Sequence, residues 1–322
     1  MTPLHFASQK NRAEIAKILI SHGANVKAQD NDGLTPLHYS ATNQNQTTTE
    51  ILISNGADIE ANDKTGSTPL LIAIKTRHYD AAQCLISHNA KINVKDNQGQ
   101  TALHFAAINN SLPILNVLIE LSDDINVRDN DQKSPLHFAV INNNKDMISI
   151  LMEHKADINA TDINGQNALH FAVQNNFKNI VNLLMYHGAN VNSQDNKGRT
   201  AMHFAVERNS KATIAMLKSF RADINIKDND GQTPLHYAAI KCRKEIVDVL
   251  IHHGADIEAA DNEGRKIIHI AAENNRMGLI DSLLDLGTDI NAKDNNGHTP
   301  FYYALKKSTK ATISFLVSKG AV

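Results

Sequence analysis

Histidine is the residue type in this chain whose number and spacing most readily suggest chemistry. Of the sixteen histidines, eight recur at multiples of 33 residues: His5, His38, His104, His137, His170, His203, His236 and His269. A zinc ion needs several imidazole nitrogens at about 2 Å. Copies in successive packed helices would stand roughly 8–10 Å apart. We therefore interpret these histidines as structural and expect no metal site.

Aspartates recur with the same period and could suggest calcium binding or general acid–base catalysis. They are Asp30, Asp63, Asp96, Asp129, Asp162, Asp195, Asp228, Asp261 and Asp294. Each is followed three residues later by glycine, except that Gln132 takes this place once. A short acceptor side chain at such a place pins a turn, and no EF-hand loop or glycine-rich phosphate loop accompanies it. We expect no catalytic residue, no cofactor and no bound metal.

The segments that position these residues are copies of one unit of 33 residues, repeated without insertion or deletion. Its motif Thr-Pro-Leu-His, or a variant of it, begins at Thr2, Thr35, Thr68, Thr101, Ser134, Asn167, Thr200, Thr233, Lys266 and Thr299. Self-similarity at a fixed period of this length is typical of a solenoid, in which each repeat contacts its neighbours. A chain used in this way leaves little sequence for a catalytic pocket.

One repeat shows the local structure that the motif predicts. Thr233 is a favourable N-cap, and Pro234 suits the first helical position, where its missing N–H costs nothing. After a short polar break, apolar residues at helical spacing over 246–251 predict a second helix. Gly254 then suits the left-handed residue that ends this helix. Each repeat is therefore predicted to be a helix-turn-helix unit followed by an extended turn.

The second helix carries a leucine at the same place in every copy, which predicts a continuous core. The ten residues are Leu19, Leu52, Leu85, Leu118, Leu151, Leu184, Leu217, Leu250, Leu283 and Leu316. The small residue of the first helix is alanine in nine copies and Ser40 in the other. Repeat 2 also has Thr47-Thr48-Thr49 where apolar residues are expected, so we predict that it is a weak link.

The combined pattern resembles ankyrin repeats over essentially the whole chain. It reads Asp-x-x-Gly-x-Thr-Pro-Leu-His-x-Ala-Ala, then a helix ending Leu-Ile, then His-Gly-Ala-Asp-Ile-Asn. The resemblance implies an all-α solenoid with short β-hairpin fingers, in one domain over residues 1–322. Repeats would begin near residues 1, 30, 63, 96, 129, 162, 195, 228, 261 and 294. The first would lack its finger, and the last would be a C-terminal cap.

The resemblance also implies a function, since ankyrin arrays are protein-binding scaffolds without chemistry of their own. Partners would bind the concave groove formed by finger tips and first helices. For the asparagine of the Ile-Asn pair it allows two roles: fixing the finger by hydrogen bonds, which we favour, or hydroxylation in a host that has the enzyme. These asparagines are Asn93, Asn126, Asn159, Asn192, Asn225 and Asn291.

Positions that vary between repeats mark the surface on which a partner would bind. Ile108 and Ile141 occupy a usually polar groove position in adjacent repeats, and Ile163 lies on the next finger. An apolar patch with a polar rim is typical of a binding hot spot; the alternative is that these side chains pack against a neighbouring finger. The residues expected to contact a partner are Gln98, Gln100, Ile108, Asp131, Lys133, Ile141, Ile163, Gln166, Lys197 and Arg199.

Composition limits the remaining classes of function. The net charge is −2 and the pI about 6.8, so no global field attracts nucleic acid or a membrane. No segment approaches the roughly 20 apolar residues of a membrane span. Cys84 and Cys242 lie in distant repeats, which favours reduced thiols and an intracellular, cytoplasmic protein. We expect a monomeric adaptor; alternatively, the chain is the recognition arm of a larger enzyme, channel or effector.

Overall fold

The computed structural model describes residues 1–43, 46–241 and 243–322, and within them the chain forms pairs of short helices. The chain divides into two compact units, Met1–Ile163 and Asn164–Val322, each of which is described by itself. In the first unit the helices are α1 Pro3–Gln9, α2 Ala13–Ser21, α3 Pro36–Ser40, α4 Thr47–Ser54, α5 Pro69–Lys75, α6 Tyr79–Ser87, α7 Ala102–Ile108, α8 Leu112–Leu121, α9 Pro135–Ile141 and α10 Lys145–Glu153.

The second unit repeats the same arrangement. Its helices are α11 Ala168–Gln174, α12 Lys178–Tyr186, α13 Ala201–Glu207, α14 Lys211–Ser219, α15 Pro234–Ile240, α16 Lys244–His252, α17 Ile267–Glu273, α18 Met277–Asp285, α19 Pro300–Lys307 and α20 Lys310–Ser318. Each odd-numbered first helix packs on the second helix that follows it and on the first helix of the next pair within its unit. The predicted all-α solenoid class is confirmed.

The helix boundaries lie where the motif predicts them. Thr233 is extended, with φ −86° and ψ 166°, and α15 begins at Pro234. The end of α16 is followed by Gly254 at φ +88°, the left-handed conformation that glycine adopts without steric cost. These local preferences explain why each repeat contains two helices of about two turns rather than one long helix.

The fingers are tight turns rather than extended strands. In one of them Asp96 N donates to the Gln100 carbonyl at 3.0 Å, and Gly99 N donates to the Asp96 carbonyl at 2.9 Å. An isolated antiparallel bridge joins Ala260 and Lys266. In the described parts of the chain, the β-hairpin that the resemblance implies is thus reduced to its turn.

The second-helix leucines form the core of each unit, as predicted. Nine of the ten are wholly buried: Leu52, Leu85, Leu118, Leu151, Leu184, Leu217, Leu250, Leu283 and Leu316. Leu19 is half-buried, because its helix α2 has a neighbouring second helix, α4, on one side. Beside it Phe6 and Ile15 are more than half exposed, and they line a cavity of about 540 Å³.

Two of the three threonines at the start of α4, Thr48 and Thr49, are buried with hydrogen-bonded hydroxyl groups, and Thr47 is exposed. Thr48 Oγ1 donates to Asn11 Oδ1 at 2.7 Å, and Thr49 Oγ1 donates to Ser40 Oγ at 3.0 Å. Ser40 Oγ in turn donates to the Leu37 carbonyl at 3.0 Å. The serine that replaces the usual alanine and the threonine that replaces the usual apolar residue therefore satisfy each other, which lowers the cost of burying both. Whether repeat 2 is weak stays a prediction.

Candidate protein-binding surface

The motif histidines tie each turn to the next repeat. Thr35 N donates to His38 Nδ1 at 3.0 Å, and His38 Nε2 lies 3.1 Å from the Ser67 carbonyl. An Nδ1 that accepts a hydrogen bond leaves the proton on Nε2, so the ring is neutral and donates to that carbonyl. The same two contacts occur at His5, His104, His203 and His236.

Burial favours the neutral ring at several of the motif histidines. It lowers the pKa of His38 below its ordinary value, because the charged form would lose its hydration. Burial lowers the pKa in the same way at His104, His170, His203, His236 and His269. In the described ranges, no three His, Cys, Asp or Glu residues stand close enough together to hold a metal ion.

The aspartates pin the finger turns, as their spacing predicts. Asp96 Oδ1 accepts hydrogen bonds from the backbone N–H groups of Gln98 and Gln100, both at 2.9 Å. The second oxygen has other partners: Tyr237 Oη donates to Asp228 Oδ2 at 2.8 Å. With backbone and side-chain donors on both oxygens, these carboxylates hold the finger in shape and are not placed for acid–base chemistry.

The asparagines of the Ile-Asn pair fix the start of each finger. Asn225 Oδ1 accepts from Asp256 N at 2.9 Å, and its Nδ2 donates to the Gly254 carbonyl at 3.3 Å. Asn126 makes the equivalent bonds to Asp157 N at 2.7 Å and to the Lys155 carbonyl at 3.4 Å. These contacts correspond to the structural role that we favoured for this position.

A second row of asparagines, which the sequence reasoning missed, links successive finger tips. Asn130 Nδ2 donates to the Asn97 carbonyl at 3.0 Å, and Asn130 N donates to the Gln98 carbonyl at 2.9 Å. In the second unit Asn262 likewise donates to the Asn229 carbonyl at 2.8 Å. The signal was present in the sequence, since an asparagine follows the ladder aspartate in most repeats.

Ile163 and Gln132 interrupt this row together. A Cβ at Gly99 would lie 2.5 Å from Asn130 Oδ1, so an asparagine on one finger requires glycine on the finger before it. Where Ile163 replaces the asparagine, the preceding finger has Gln132 at φ +62° instead of glycine. The Ile163 side chain is 57% exposed. The finger row thus exchanges a polar link for an exposed apolar side chain.

The predicted finger residues of the first unit meet in one shallow groove. Gln98, Gln100 and Asp131 line a cavity of about 300 Å³, together with Asn97, Asp129 and Asn130. Lys133 Nζ lies 3.0 Å from Asp131 Oδ2, and the lysine side chain is only 20% exposed. The groove therefore offers amide and carboxylate groups to a partner, while the charge of Lys133 is already paired.

The two helix isoleucines lie together, at the other end of the first helices. Ile108 and Ile141 are the last residues of α7 and α9, and Asn142 Nδ2 donates to the Ile108 carbonyl at 3.0 Å. Ile141 is 39% exposed and Ile108 is half-buried. Gln100 lies before the start of α7, and seven residues at 1.5 Å each place Ile108 about 10 Å along the helix. The helix ends and the finger groove are thus separate areas of one face.

The three predicted residues of the second unit differ in how many contacts they already make within the chain. Arg199 donates to Asp195 Oδ2 from Nη2 at 2.8 Å and from Nε at 3.1 Å, and it stacks 4.4 Å from the Phe204 ring. Gln166 Nε2 lies 3.5 Å from the same Asp195 oxygen. The Lys197 side chain is exposed. Lys197 is therefore the residue of the three that most readily reaches a partner.

The pKa of Asp195 reflects this pairing. Burial acts to raise it, but hydrogen bonds and charge from Arg199 outweigh burial and hold the pKa below its ordinary value. The carboxylate and the guanidinium are bidentate partners with little exposure, so removing either would leave the other poorly satisfied. Arg199 consequently supports its own finger.

Comparison with family models identifies the class of protein. A model of ankyrin repeats (3 copies) matches residues 1–63, 60–129, 121–195 and 187–261, and a model of ankyrin repeats (many copies) matches residues 268–317. The chain belongs to the ankyrin repeat family. No curated protein matches it. Ankyrin repeat domains are typically non-catalytic modules that mediate protein–protein interaction.

Two further features are the length of the apolar helices and the state of the cysteines. None of the helices in the described residues is long and apolar enough to cross a membrane. The Cys84 thiol is buried, and burial raises its pKa to about 11, which makes it a poor nucleophile at neutral pH. Cys242, the other cysteine, lies outside the described residues.

Proposed function

We propose that the protein is a non-catalytic scaffold that binds a partner protein through the finger and first-helix face of its first unit. The observation that carries the proposal is the exposure of isoleucines on this face. Ile141 is 39% exposed and Ile163 is 57% exposed, whereas the core leucines that α4 to α10 contribute to the same unit are buried. Apolar side chains exposed beside polar groups favour a partner that desolvates them.

The polar groups of the same face give the partner its expected chemistry. The groove of Gln98, Gln100 and Asp131 presents amide and carboxylate oxygens, and Lys133 is neutralised by Asp131. We infer a polar or weakly basic protein segment with apolar residues that cover Ile108 and Ile141. In the second unit, Lys197 provides a further contact position, with Gln166 and Arg199 supporting the finger beside it.

The proposal includes the organisation of the chain. We propose ten repeats that form one ankyrin-repeat domain over residues 1–322, in a monomeric cytoplasmic protein. The equal spacing of the motif supports this count. Sedimentation velocity of the full chain tests the oligomeric state, and a dimer at low concentration would contradict it.

The binding site is tested by affinity capture from host lysate, read by mass spectrometry. The intact chain is compared with Ile108→Glu/Ile141→Glu and with Ile240→Glu, whose isoleucine is 37% exposed at the matching position of α15 in the second unit. We expect a protein that is captured by the intact chain and by Ile240→Glu but lost with the double variant. Capture of the same proteins by all three chains would contradict the proposed site.

A further inference from the structure

The charge of the second unit is unevenly distributed. Five segments connect the first and second helices of its repeats: 174–178, 207–211, 241–244, 273–277 and 306–310, here called the loop edge. The loop edge has ten basic residues and two acidic ones, whereas the rest of the unit has nine basic and fourteen acidic residues. The basic residues are Lys178, Arg208, Lys211, Lys241, Arg243, Lys244, Arg276, Lys306, Lys307 and Lys310.

Contacts between successive segments make the loop edge one continuous surface. Ser210 Oγ lies 3.2 Å from Asn176 Oδ1, and Arg243 Nη2 donates to the Glu207 carbonyl at 3.1 Å. At the far end Thr309 N donates to Asn275 Oδ1 at 2.6 Å. Residues of 241–244 and of 273–277 line one groove, so all five segments adjoin and the positive charges form a row with one group of charges per repeat.

Helix stability explains some of these charges but not all: Arg208, Lys241, Lys306 and Lys307 lie at the C-terminal ends of first helices, where a cation is favourable. Lys178, Lys211, Lys244 and Lys310 are the first residues of α12, α14, α16 and α20. The N-terminus of a helix carries a partial positive charge, so acidic residues stabilise this position and lysine does not. Lys211 and Lys307 have acidic partners, Glu245 and Glu273, both at 2.5 Å. Each segment joins the C-terminus of one helix to the N-terminus of the next, whose partial charges have opposite sign, so the positive field of the loop edge comes from the remaining side-chain cations.

An apolar groove opens within this positive row. Ala238, Val247 and Leu279 are its buried apolar residues, Met277 is 38% exposed beside them, and the volume is about 280 Å³. Arg243, Lys244 and Arg276 also line it, and the Nε–H groups of the two arginines are without a hydrogen-bond partner. Small-molecule pockets are usually larger, roughly 300–1,000 Å³. A single apolar side chain with acidic neighbours fits this groove better.

We propose that the loop edge is a second binding surface, which takes an extended acidic segment of a partner protein with one apolar side chain in the groove. Charges one repeat apart lie roughly 8–10 Å from each other. A peptide in the polyproline II conformation has three residues per turn and advances about 3.1 Å per residue, so every third side chain lies on the same face about 9 Å further along. The apolar groove favours a peptide over a single-stranded nucleic acid, because the described residues of its lining include no aromatic ring on which a base would stack.

The test uses fluorescence anisotropy with the full chain at low salt. The probe is a short dye-labelled peptide of Asp and Glu with one central leucine, and its matched partner has serine in place of leucine. We expect saturable binding that weakens with salt and is tighter for the leucine peptide. Tighter binding of a single-stranded oligonucleotide or of phosphatidylserine vesicles would overturn the proposal.

Two charge-reversal variants separate the loop edge from general charge. Lys241→Glu/Lys244→Glu should weaken peptide binding at least about tenfold, since two exposed attractions become repulsions. Arg221→Glu/Lys293→Glu makes the same change in net charge at exposed positions elsewhere in the unit, and binding should stay within about twofold. Equal loss in both variants would contradict the proposal. Glutamate at the first residue of α16 favours the helix, so the test variant is expected to fold.

The groove is tested by filling it. A Cβ at Gly278 meets nothing within 4 Å, and this residue lines the groove within α18. Gly278→Leu should therefore weaken the leucine peptide and leave the serine peptide unchanged; equal affinities of both peptides for both chains would refute the apolar anchor. Ile108→Glu/Ile141→Glu should bind the peptide normally, which keeps this outcome distinct from that of the first-unit site. Self-association of the chain in sedimentation would contradict the proposal, because the occupant would then be a second copy.

Discussion

Mild acid should destabilise this protein through its buried histidines, in both units. Burial lowers the pKa of motif histidines of the first unit, among them His38 and His104. It does so at four in the second unit: His170, His203, His236 and His269. The perturbation is a change from about pH 7.5 to about pH 5.5, across the ordinary histidine pKa of about 6.5.

The sign follows from which state binds the protons. Below about pH 6.5 the unfolded chain protonates these rings while the folded chain keeps them neutral, so stability present above this pH is lost as the pH falls. Each such histidine contributes a slope of up to about 1.4 kcal/mol per pH unit. Four of them give up to about 5–6 kcal/mol per pH unit in the second unit, a large part of a typical stability of about 5–15 kcal/mol.

Carboxylates do not act in the same window. Hydrogen bonds from Tyr39 and from backbone amides outweigh the effect of burial and hold the pKa of Asp30 below its ordinary value; Asp195 and Asp294 are shifted the same way. The stability that these groups contribute is lost only as the pH falls through and below about 3.8. Stability that is lost between about pH 7.5 and about pH 5.5 is therefore due to protonation of histidine.

Hydrogen exchange read by mass spectrometry measures the two units separately at each pH, and urea unfolding gives the free energy of unfolding. His203→Gln is the control: a glutamine amide can still accept from Thr200 N and donate to the Gln232 carbonyl, but it does not titrate. This variant should lose about 1.4 kcal/mol per pH unit of the pH slope. Equal stability at both pH values, or an unchanged slope in the variant, would refute the reasoning.

Three further predictions concern stability. Leu184→Ala should cost about 2–5 kcal/mol, because this wholly buried side chain would leave a cavity; an unaltered urea midpoint would overturn its core role. Gln132→Gly should raise the melting temperature by relieving a left-handed residue worth about 1 kcal/mol, and a lower melting temperature would count against it. Thr49→Val should cost about 0.5–1.5 kcal/mol by removing the hydrogen bond that Ser40 accepts, although Ser40 still donates to the Leu37 carbonyl, and Thr49→Val/Ser40→Ala should recover most of this; a double-mutant cycle without coupling would disprove the pairing.

The sequence predicts the fold well because the same local signals for helix start, helix end and core recur in each repeat. Thr-Pro begins a helix, glycine ends one, and a leucine at constant phase closes the core, so the family and the all-α class follow from pattern alone. The pairing of Gln132 with Ile163 also follows the pattern, once the asparagine that links finger tips is recognised.

The candidate site is less predictable, because it depends on side chains that meet across turns. Arg199 was expected to face a partner, and its guanidinium instead lies on Asp195 and Phe204. Ile108 and the finger residue Gln100 were expected in one patch, and the length of α7 separates them. The loop edge was missed because variation was sought at the fingers, whereas its charges lie in the connections between helices.

The most direct test of the proposed function is the affinity of the captured partner for single variants at matched positions, measured by calorimetry. Ile141→Glu should weaken binding by about 2 kcal/mol or more, roughly thirtyfold, if this residue belongs to the hot spot. Ile240→Glu, at the equivalent helix end of the second unit, should bind as the intact chain does. Equal affinities for Ile141→Glu and the intact chain would contradict the central claim.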